Sequence, residues 1–137
     1  MGRIEPLRLL LDTHVWFWSL TEPKRLGRRV RAELARSGNE FWLSPISVWE
    51  LLALSGKGRI RLVGEPRVWL SEAFARAPVA EAVLNHEVAM RSREIMPAHA
   101  DPADRFLVAT ALTYDLTLAT ADRAIIDARV CPTLASG

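Results

Sequence analysis

The chain has 137 residues and a formal net charge of +2 at neutral pH, with 50% hydrophobic and 25% charged residues. This length and balance predict a single soluble domain over residues 1–137. No apolar run approaches the roughly 18 residues of a membrane span, and the first residues lack a signal-peptide core. The lone cysteine, Cys131, excludes an internal disulfide and a thiolate metal cluster, so we expect a cytoplasmic protein.

The basic side chains are almost all arginine, with 16 arginines against two lysines. The planar guanidinium group suits bidentate recognition of phosphate. An arginine excess can also reflect genome composition, and clustered arginines can simply form the solvated face of a helix. Both readings stay open for the cluster Arg25, Arg28, Arg29 and Arg31.

Short apolar runs alternate with helical patterns along the whole chain. Strands are predicted near 7–11, 41–44 and 117–120, with further extended pieces at 59–62, 79–84 and 130–131. Helices are predicted near 13–20, 27–36, 46–54, 67–76, 85–96, 101–114 and 122–127. This alternation predicts an α/β fold, a three-layer α/β/α sandwich around a short, mainly parallel sheet.

Four acids occupy equivalent places in this pattern, just after a strand or early in a helix: Asp12, Glu50, Asp104 and Asp122. In a parallel sheet these places fall along one edge, where open α/β sheets bind ligands. Each acid also has a structural explanation. Asp12 and Asp122 can cap helices, Ser47-x-x-Glu50 matches a capping box, and Asp104 complements a helix dipole.

The electrostatics of such an edge favour a bound cation. Two carboxylates about 4 Å apart repel by about 4 kcal/mol at an effective dielectric near 20. A cluster of three or four is costly unless it is protonated or bridged by a cation. Mg²⁺ and Mn²⁺ prefer carboxylate oxygens and can activate a water near a phosphate. The four acids therefore predict metal-dependent phosphodiester hydrolysis.

Four segments carry a family resemblance: Leu11–Trp16, Ile46–Leu51, His99–Ala111 and Leu118–Asp122. Together they resemble the PIN-domain family, and in particular the VapC-type toxin ribonucleases of bacterial toxin–antitoxin systems. The resemblance extends from about residue 8 to about residue 132, and its third segment is distinctive even alone.

The resemblance implies a role for each of the four acids. In the family they hold one or two Mg²⁺ or Mn²⁺ ions, and the metal-bound water cleaves RNA. By position, Asp12 and Asp104 would be the most direct ligands, with Glu50 and Asp122 completing the shell or acting through water. The resemblance also implies a homodimer and a cognate antitoxin that occupies the groove.

Five further residues are candidates for supporting roles. Thr13 and Thr120 can orient Asp12 and Asp122 by hydrogen bonds, and Ser47 can serve the pocket while it caps a helix. Asp101 is read as a helix cap, with metal ligation as the alternative. Arg105 either meets a phosphate or is a surface arginine.

The histidine and tryptophan side chains each have a structural interpretation and, for some, a functional alternative. His99 is either structural or a substrate contact, whereas His14 and His86 are read as structural. We expect most of the five tryptophans to lie in the core: Trp16, Trp18, Trp42, Trp49 and Trp69. One alternative is that one of them stacks on a base of RNA. Another is that exposed tryptophans near Trp16 and Trp18 contact the antitoxin or a second protomer.

Other α/β classes fit poorly. A phosphoacceptor receiver domain needs a lysine after a late strand, and this chain has none after Lys57. A phosphate-loop enzyme is excluded because its glycine-lysine motif is missing. A halo-acid-type phosphatase needs a second aspartate where His14 stands. The remaining alternative is a catalytically silent PIN-like RNA- or protein-binding module whose acids only cap helices.

Overall fold

The computed structural model describes residues 5–95 and 101–136. In these ranges the strands are β1 Arg8–Leu11, β2 Glu40–Leu43, β3 Ala80–Glu81, β4 Thr117–Thr120 and β5 Thr133–Ala135. The helices are α1 Thr13–Thr21, α2 Arg28–Leu34, α3 Pro45–Gly56, α4 Pro66–Arg76, α5 His86–Glu94, α6 Pro102–Tyr114 and α7 Arg123–Ala128. A short 3₁₀ helix, Pro23–Arg25, follows α1. None of these described helices is long and apolar enough to cross a membrane.

The strands pair in parallel, in the spatial order β3-β2-β1-β4-β5. The chain builds outward from the central β1 to β3, then returns to place β4 on the other side of β1. The strand order therefore reverses between β1 and β4, which makes this pair the topological switch point of the sheet. Ligands of open α/β sheets bind beyond the carboxyl ends of the strands at such a point.

Helices cover both faces of the central strand β1. Leu9 and Leu11 pack into a cluster with side chains of α1 to α4, among them Val15, Val30, Leu51 and Leu70. Leu10 packs into a second cluster with side chains of α6 and α7, among them Leu107, Val108 and Ile125. The three leucines of β1 are at most 3% exposed. The prediction of a three-layer α/β/α sandwich is confirmed, with a sheet that is parallel throughout the described strands.

Cys131 lies in the second cluster and is buried. Burial raises the pKa of its thiol from 9.0 to about 11, because the apolar surroundings disfavour the thiolate. The thiol therefore stays protonated at neutral pH and packs as a small hydrophobic group, as predicted.

Two predicted extended segments are wrong. Residues 59–62 form no strand, and the edge strand predicted at 130–131 lies instead at β5. Arg129 ends α7 in a left-handed conformation with φ 54°. Pro132 has no N–H to donate to a ladder, whereas its carbonyl accepts from the Leu118 N–H at 2.9 Å. Pairing with β4 therefore starts with this carbonyl, and the strand follows the proline.

Helix α3 begins one residue earlier than predicted, which removes the expected capping box. Ser44 is the N-cap, because its Oγ accepts from the Ile46 N–H at 3.1 Å, and Pro45 occupies the first helical position. Ser47 is consequently the third helical residue and Glu50 lies in the second turn. The Ser47 hydroxyl is buried, and the structure gives it no hydrogen-bond partner among the described residues.

The two serines therefore predict opposite effects on stability. Ser44→Ala should lower the free energy of unfolding by about 1 kcal/mol, within the range of lost N-caps. Ser47→Ala should be neutral or stabilising, because it removes a buried hydroxyl that lacks a partner. Urea unfolding of both variants beside the wild type measures the difference. Equal destabilisation by the two substitutions would contradict the assignment of the cap.

Candidate active site

Asp12 lies directly beyond β1 and caps α1. Its Oδ1 accepts from the backbone N–H groups of His14, at 2.8 Å, and Val15, at 3.4 Å. Its Oδ2 accepts from the Thr120 hydroxyl at 2.6 Å. The Asp12 N–H donates to the Ala119 carbonyl at 3.1 Å, so the residue extends the pairing of β1 with β4. Both oxygens of the carboxylate are therefore fixed in direction at the switch point.

Thr120 joins the first acid to the fourth. It is the last residue of β4 and is fully buried. Its hydroxyl donates to Asp12 and accepts from the backbone N–H of Asp122 at 3.0 Å. Asp122 in turn caps α7, accepting from the Ala124 N–H at 2.9 Å and the Ile125 N–H at 3.3 Å. One buried hydroxyl thus sets the spacing of the two segments.

Glu50 is linked to the same region through Thr13. The buried Thr13 hydroxyl donates to Glu50 Oε1 at 2.5 Å, across 37 residues of chain. The predicted partner of Thr13 is therefore corrected, because Thr13 holds Glu50 rather than Asp12. Thr120 bonds to Asp122, as predicted, and also to Asp12. The structure joins Asp12, Glu50 and Asp122 through these two side chains and the first residues of α1.

Asp104 lies half-buried in the first turn of α6, a helix that packs against α3. Asp101 caps this helix, as predicted, by accepting from the Ala103 N–H at 2.9 Å. Arg105 follows Asp104 and is also half-buried. The grouping of Asp104 with the other acids remains a prediction. His99, at the start of the same motif, lies outside the described residues.

The three linked acids carry negative charge that is not neutralised by basic side chains. Over the described ranges, Asp12, Glu50 and Asp122 form no ion pair, whereas other acids do, for example in the pairs Arg8–Glu40, Arg25–Glu22, Arg36–Glu33 and Arg91–Glu87. Backbone N–H groups at helix N-termini offset part of the charge of Asp12 and Asp122. The three acids are therefore held by hydrogen bonds from threonine hydroxyls and helix N–H groups rather than by ion pairs with described basic residues.

No compact group of ligands is present in the part of the chain that the structure describes. There, no three His, Cys, Asp or Glu side chains come together in a group that could hold a metal ion. Close approach of all four carboxylates without a cation would be opposed by their repulsion. The donors at this edge are carboxylate oxygens, the type that Mg²⁺ prefers, and this ion keeps several waters and needs only one or two protein carboxylates.

The prediction that most of the tryptophans lie in the core is confirmed, with Trp49 as an exception. Trp16 is buried, and Trp18, Trp42 and Trp69 are half-buried. Trp49 is 62% exposed, although it directly precedes Glu50. No sequence pattern distinguishes it, because its helix is apolar on almost every side. A cavity of about 590 Å³ between α1, α2 and β2 is lined mainly by apolar side chains and by none of the four acids.

The Thr120 hydroxyl predicts a measurable cost for its removal. Thr120→Val should lower the free energy of unfolding by about 1–3 kcal/mol, because the partly buried Asp122 N–H loses its acceptor and Asp12 loses a donor. Thr110→Val is the matched control, since Thr110 is equally buried but donates only to the Phe106 carbonyl within α6. Chemical unfolding compares the two, and equal losses would contradict the bridging role.

Comparison with known proteins assigns the family. The PIN domain family model matches residues 9–130. Ribonuclease VapC22 from Mycobacterium tuberculosis is 33% identical over 118 residues, which cover 84% of this chain and 87% of that protein.

Two solved structures share the fold at low identity. VapBC2 from Rickettsia felis, bound to a promoter DNA fragment, matches with a TM-score of 0.69 and 14% identity over 96% of this chain and 100% of that one. DNA-bound VapBC from Salmonella typhimurium matches with a TM-score of 0.68 and 14% identity, over 94% and 98% of the two chains. With a family match over most of its length, this chain belongs to the PIN-domain family, and its resemblance to the VapC group is confirmed.

Proposed function

We propose that this protein is a metal-dependent endoribonuclease and the toxin of a type II toxin–antitoxin pair. One observation carries the proposal: buried threonines hold the carboxylates of Glu50 and Asp12 and the backbone N–H of Asp122 at the sheet switch point, and these acids form no ion pair among the described residues. Carboxylates that are held without a basic partner lower the stability of a fold, but a hydrolase can use them to bind a cation. The similarity to a ribonuclease VapC supports RNA as the substrate.

Mg²⁺ or Mn²⁺ fits this set of donors. The candidate ligands are hard carboxylate oxygens, without the thiolate or histidine pairs that softer metals select. We assign direct ligation to Asp12 and Asp104, with Glu50 and Asp122 acting through water or completing the shell. When bound, the ion would lower the pKa of a water and neutralise charge on the phosphate.

The protein's own contribution is preorganisation of its carboxylates. Asp12 cannot rotate freely, because two backbone N–H groups and the Thr120 hydroxyl hold its two oxygens. Glu50 is held through Oε1 only, and Asp122 through Oδ1 only, in the contacts of the described residues. Their second oxygens can therefore accept hydrogen bonds from water beside the scissile phosphate. Groups fixed before the reaction need no reorganisation as charge develops.

Arginines would bind the RNA backbone around this centre. Arg25, Arg28, Arg29 and Arg31 are all exposed beyond α1, in the 3₁₀ helix and α2. We assign to them an electrostatic role in steering and holding RNA, and to Arg105 a contact with a phosphate. Binding that depends on such contacts weakens steeply as salt concentration rises.

We also propose a cognate antitoxin, a homodimer and a cytoplasmic setting. The VapBC assemblies that share this fold support the antitoxin. The second candidate function is a catalytically silent PIN-like module that binds RNA or protein. It is favoured by the observation that Asp12, Asp101 and Asp122 each serve as a helix N-cap.

Substitution of the proposed direct ligands distinguishes the two functions. Asp12→Asn and Asp104→Asn should each lower RNA cleavage by about 100-fold or more, the scale of losing one stabilising group in an active site. Asparagine is also a good N-cap, so Asp12→Asn should keep the helix start. Asp127→Asn, at an exposed position of α7, is the control and should retain activity.

The assay uses the full chain, freed of partners, with structured and single-stranded RNAs in Mg²⁺, Mn²⁺ or EDTA. Cleavage should require metal, and metal should raise the melting temperature of the wild type but not of Asp12→Asn. Cleavage that survives EDTA and both substitutions would contradict the proposal. No cleavage together with no thermal shift would favour the binding module.

A further inference from the structure

Three planar side chains stack in series along α1 and the 3₁₀ helix that follows it. The ring centroids of His14 and Trp18 lie 5.3 Å apart at an angle of 51°. The guanidinium carbon of Arg25 lies 4.3 Å from the centroid of the Trp18 ring. The fold and the proposed carboxylate chemistry leave the His14 end of this stack without a role.

The series starts beside the candidate active site. The backbone N–H of His14 donates to Asp12 Oδ1, so His14 lies in the first turn of α1, next to that carboxylate. Trp18 is four residues further on, where side chains share a helix face. Arg25 belongs to the 3₁₀ helix, which packs against α1. The three stacked side chains therefore extend from the Asp12 end of α1 to the 3₁₀ helix.

The stack is anchored at its middle and exposed at its ends. Trp18 is half-buried and packs against the core cluster of α1 to α4. His14 is exposed, and the Arg25 side chain is 54% exposed, with Glu22 Oε1 at the long distance of 3.9 Å. Exposed cation–π pairs and surface ion pairs each contribute little to stability. The ring of His14 and the donors of Arg25 thus remain available to a ligand.

We propose that His14, Trp18 and Arg25 form a binding track for single-stranded RNA, an inference that rests on the proposed ribonuclease function. His14, held by Trp18, stacks on a base next to the scissile phosphate, and Arg25 binds a phosphate further along the strand. Aromatic rings alternating with cations match single-stranded nucleic acid, whose bases stack while its phosphates pair with arginine. His14 lies in the first helical turn, whose backbone N–H groups bind Asp12, and this position favours substrate over a protein partner.

Binding of a labelled single-stranded RNA that the wild type cleaves tests the track directly. In an Asp12→Asn background, which prevents turnover, His14→Ala should raise Kd about 5- to 100-fold, the range for losing one base stack. His14→Phe should restore most of the affinity because it keeps an aromatic face. Arg25→Gln should weaken binding and lower the slope of log affinity against log salt by about one.

Matched controls are His86→Ala and Arg67→Gln, which remove exposed side chains of the same types on α5 and α4. In the otherwise wild-type protein, His14→Ala should raise KM and change kcat little. If the His14 and Arg25 variants bind RNA as tightly as the controls do, the proposed binding track is overturned. Metal-dependent cleavage that is lost in Asp12→Asn would still support the ribonuclease function in that case. Variants that lose only affinity for a protein partner would also overturn it. A wild type that cleaves no RNA would contradict both proposals.

Discussion

The hydrogen bond between the Thr120 hydroxyl and the Asp12 carboxylate is the constraint on which this site depends. It crosses the junction of β1 and β4, where the strand order reverses, and joins residues 108 positions apart in the chain. The same hydroxyl accepts from the Asp122 N–H, so one buried oxygen sets two acidic segments side by side. The apolar clusters on both faces of β1 hold the two strands in this register.

The carboxylates at this edge serve the fold and, in our proposal, the chemistry. Backbone N–H groups at the starts of α1 and α7 bind one oxygen each of Asp12 and Asp122 and satisfy donors that would otherwise lack partners. Glu50 is held by a threonine rather than by a basic residue. Helix capping and metal binding therefore do not exclude each other here. A cap uses one oxygen of a carboxylate and fixes the direction of the other.

Much of the layered fold could be predicted from sequence, because the apolar runs of β1, β2 and β4 are short and are followed by helix signals. The predictions that failed depend on local competition or on distant contacts. Ser44 and Ser47 are both acceptable caps, and only the observed start of α3 decides between them. Glu50, the partner of Thr13, and Asp12, the additional partner of Thr120, lie 37 and 108 residues away, beyond any local pattern. The exposure of Trp49 depends on which side of α3 meets the core.

The chemical ends of the RNA products test the central claim most directly. A water that attacks the phosphorus and expels the 3′-oxygen leaves a 5′-phosphate on one product and a 3′-hydroxyl on the other. Mass spectrometry of the fragments from a defined oligonucleotide should show these two ends. Fragments ending in a 2′,3′-cyclic phosphate would require attack by the ribose 2′-hydroxyl. That result would contradict hydrolysis by water at the carboxylates of the switch point.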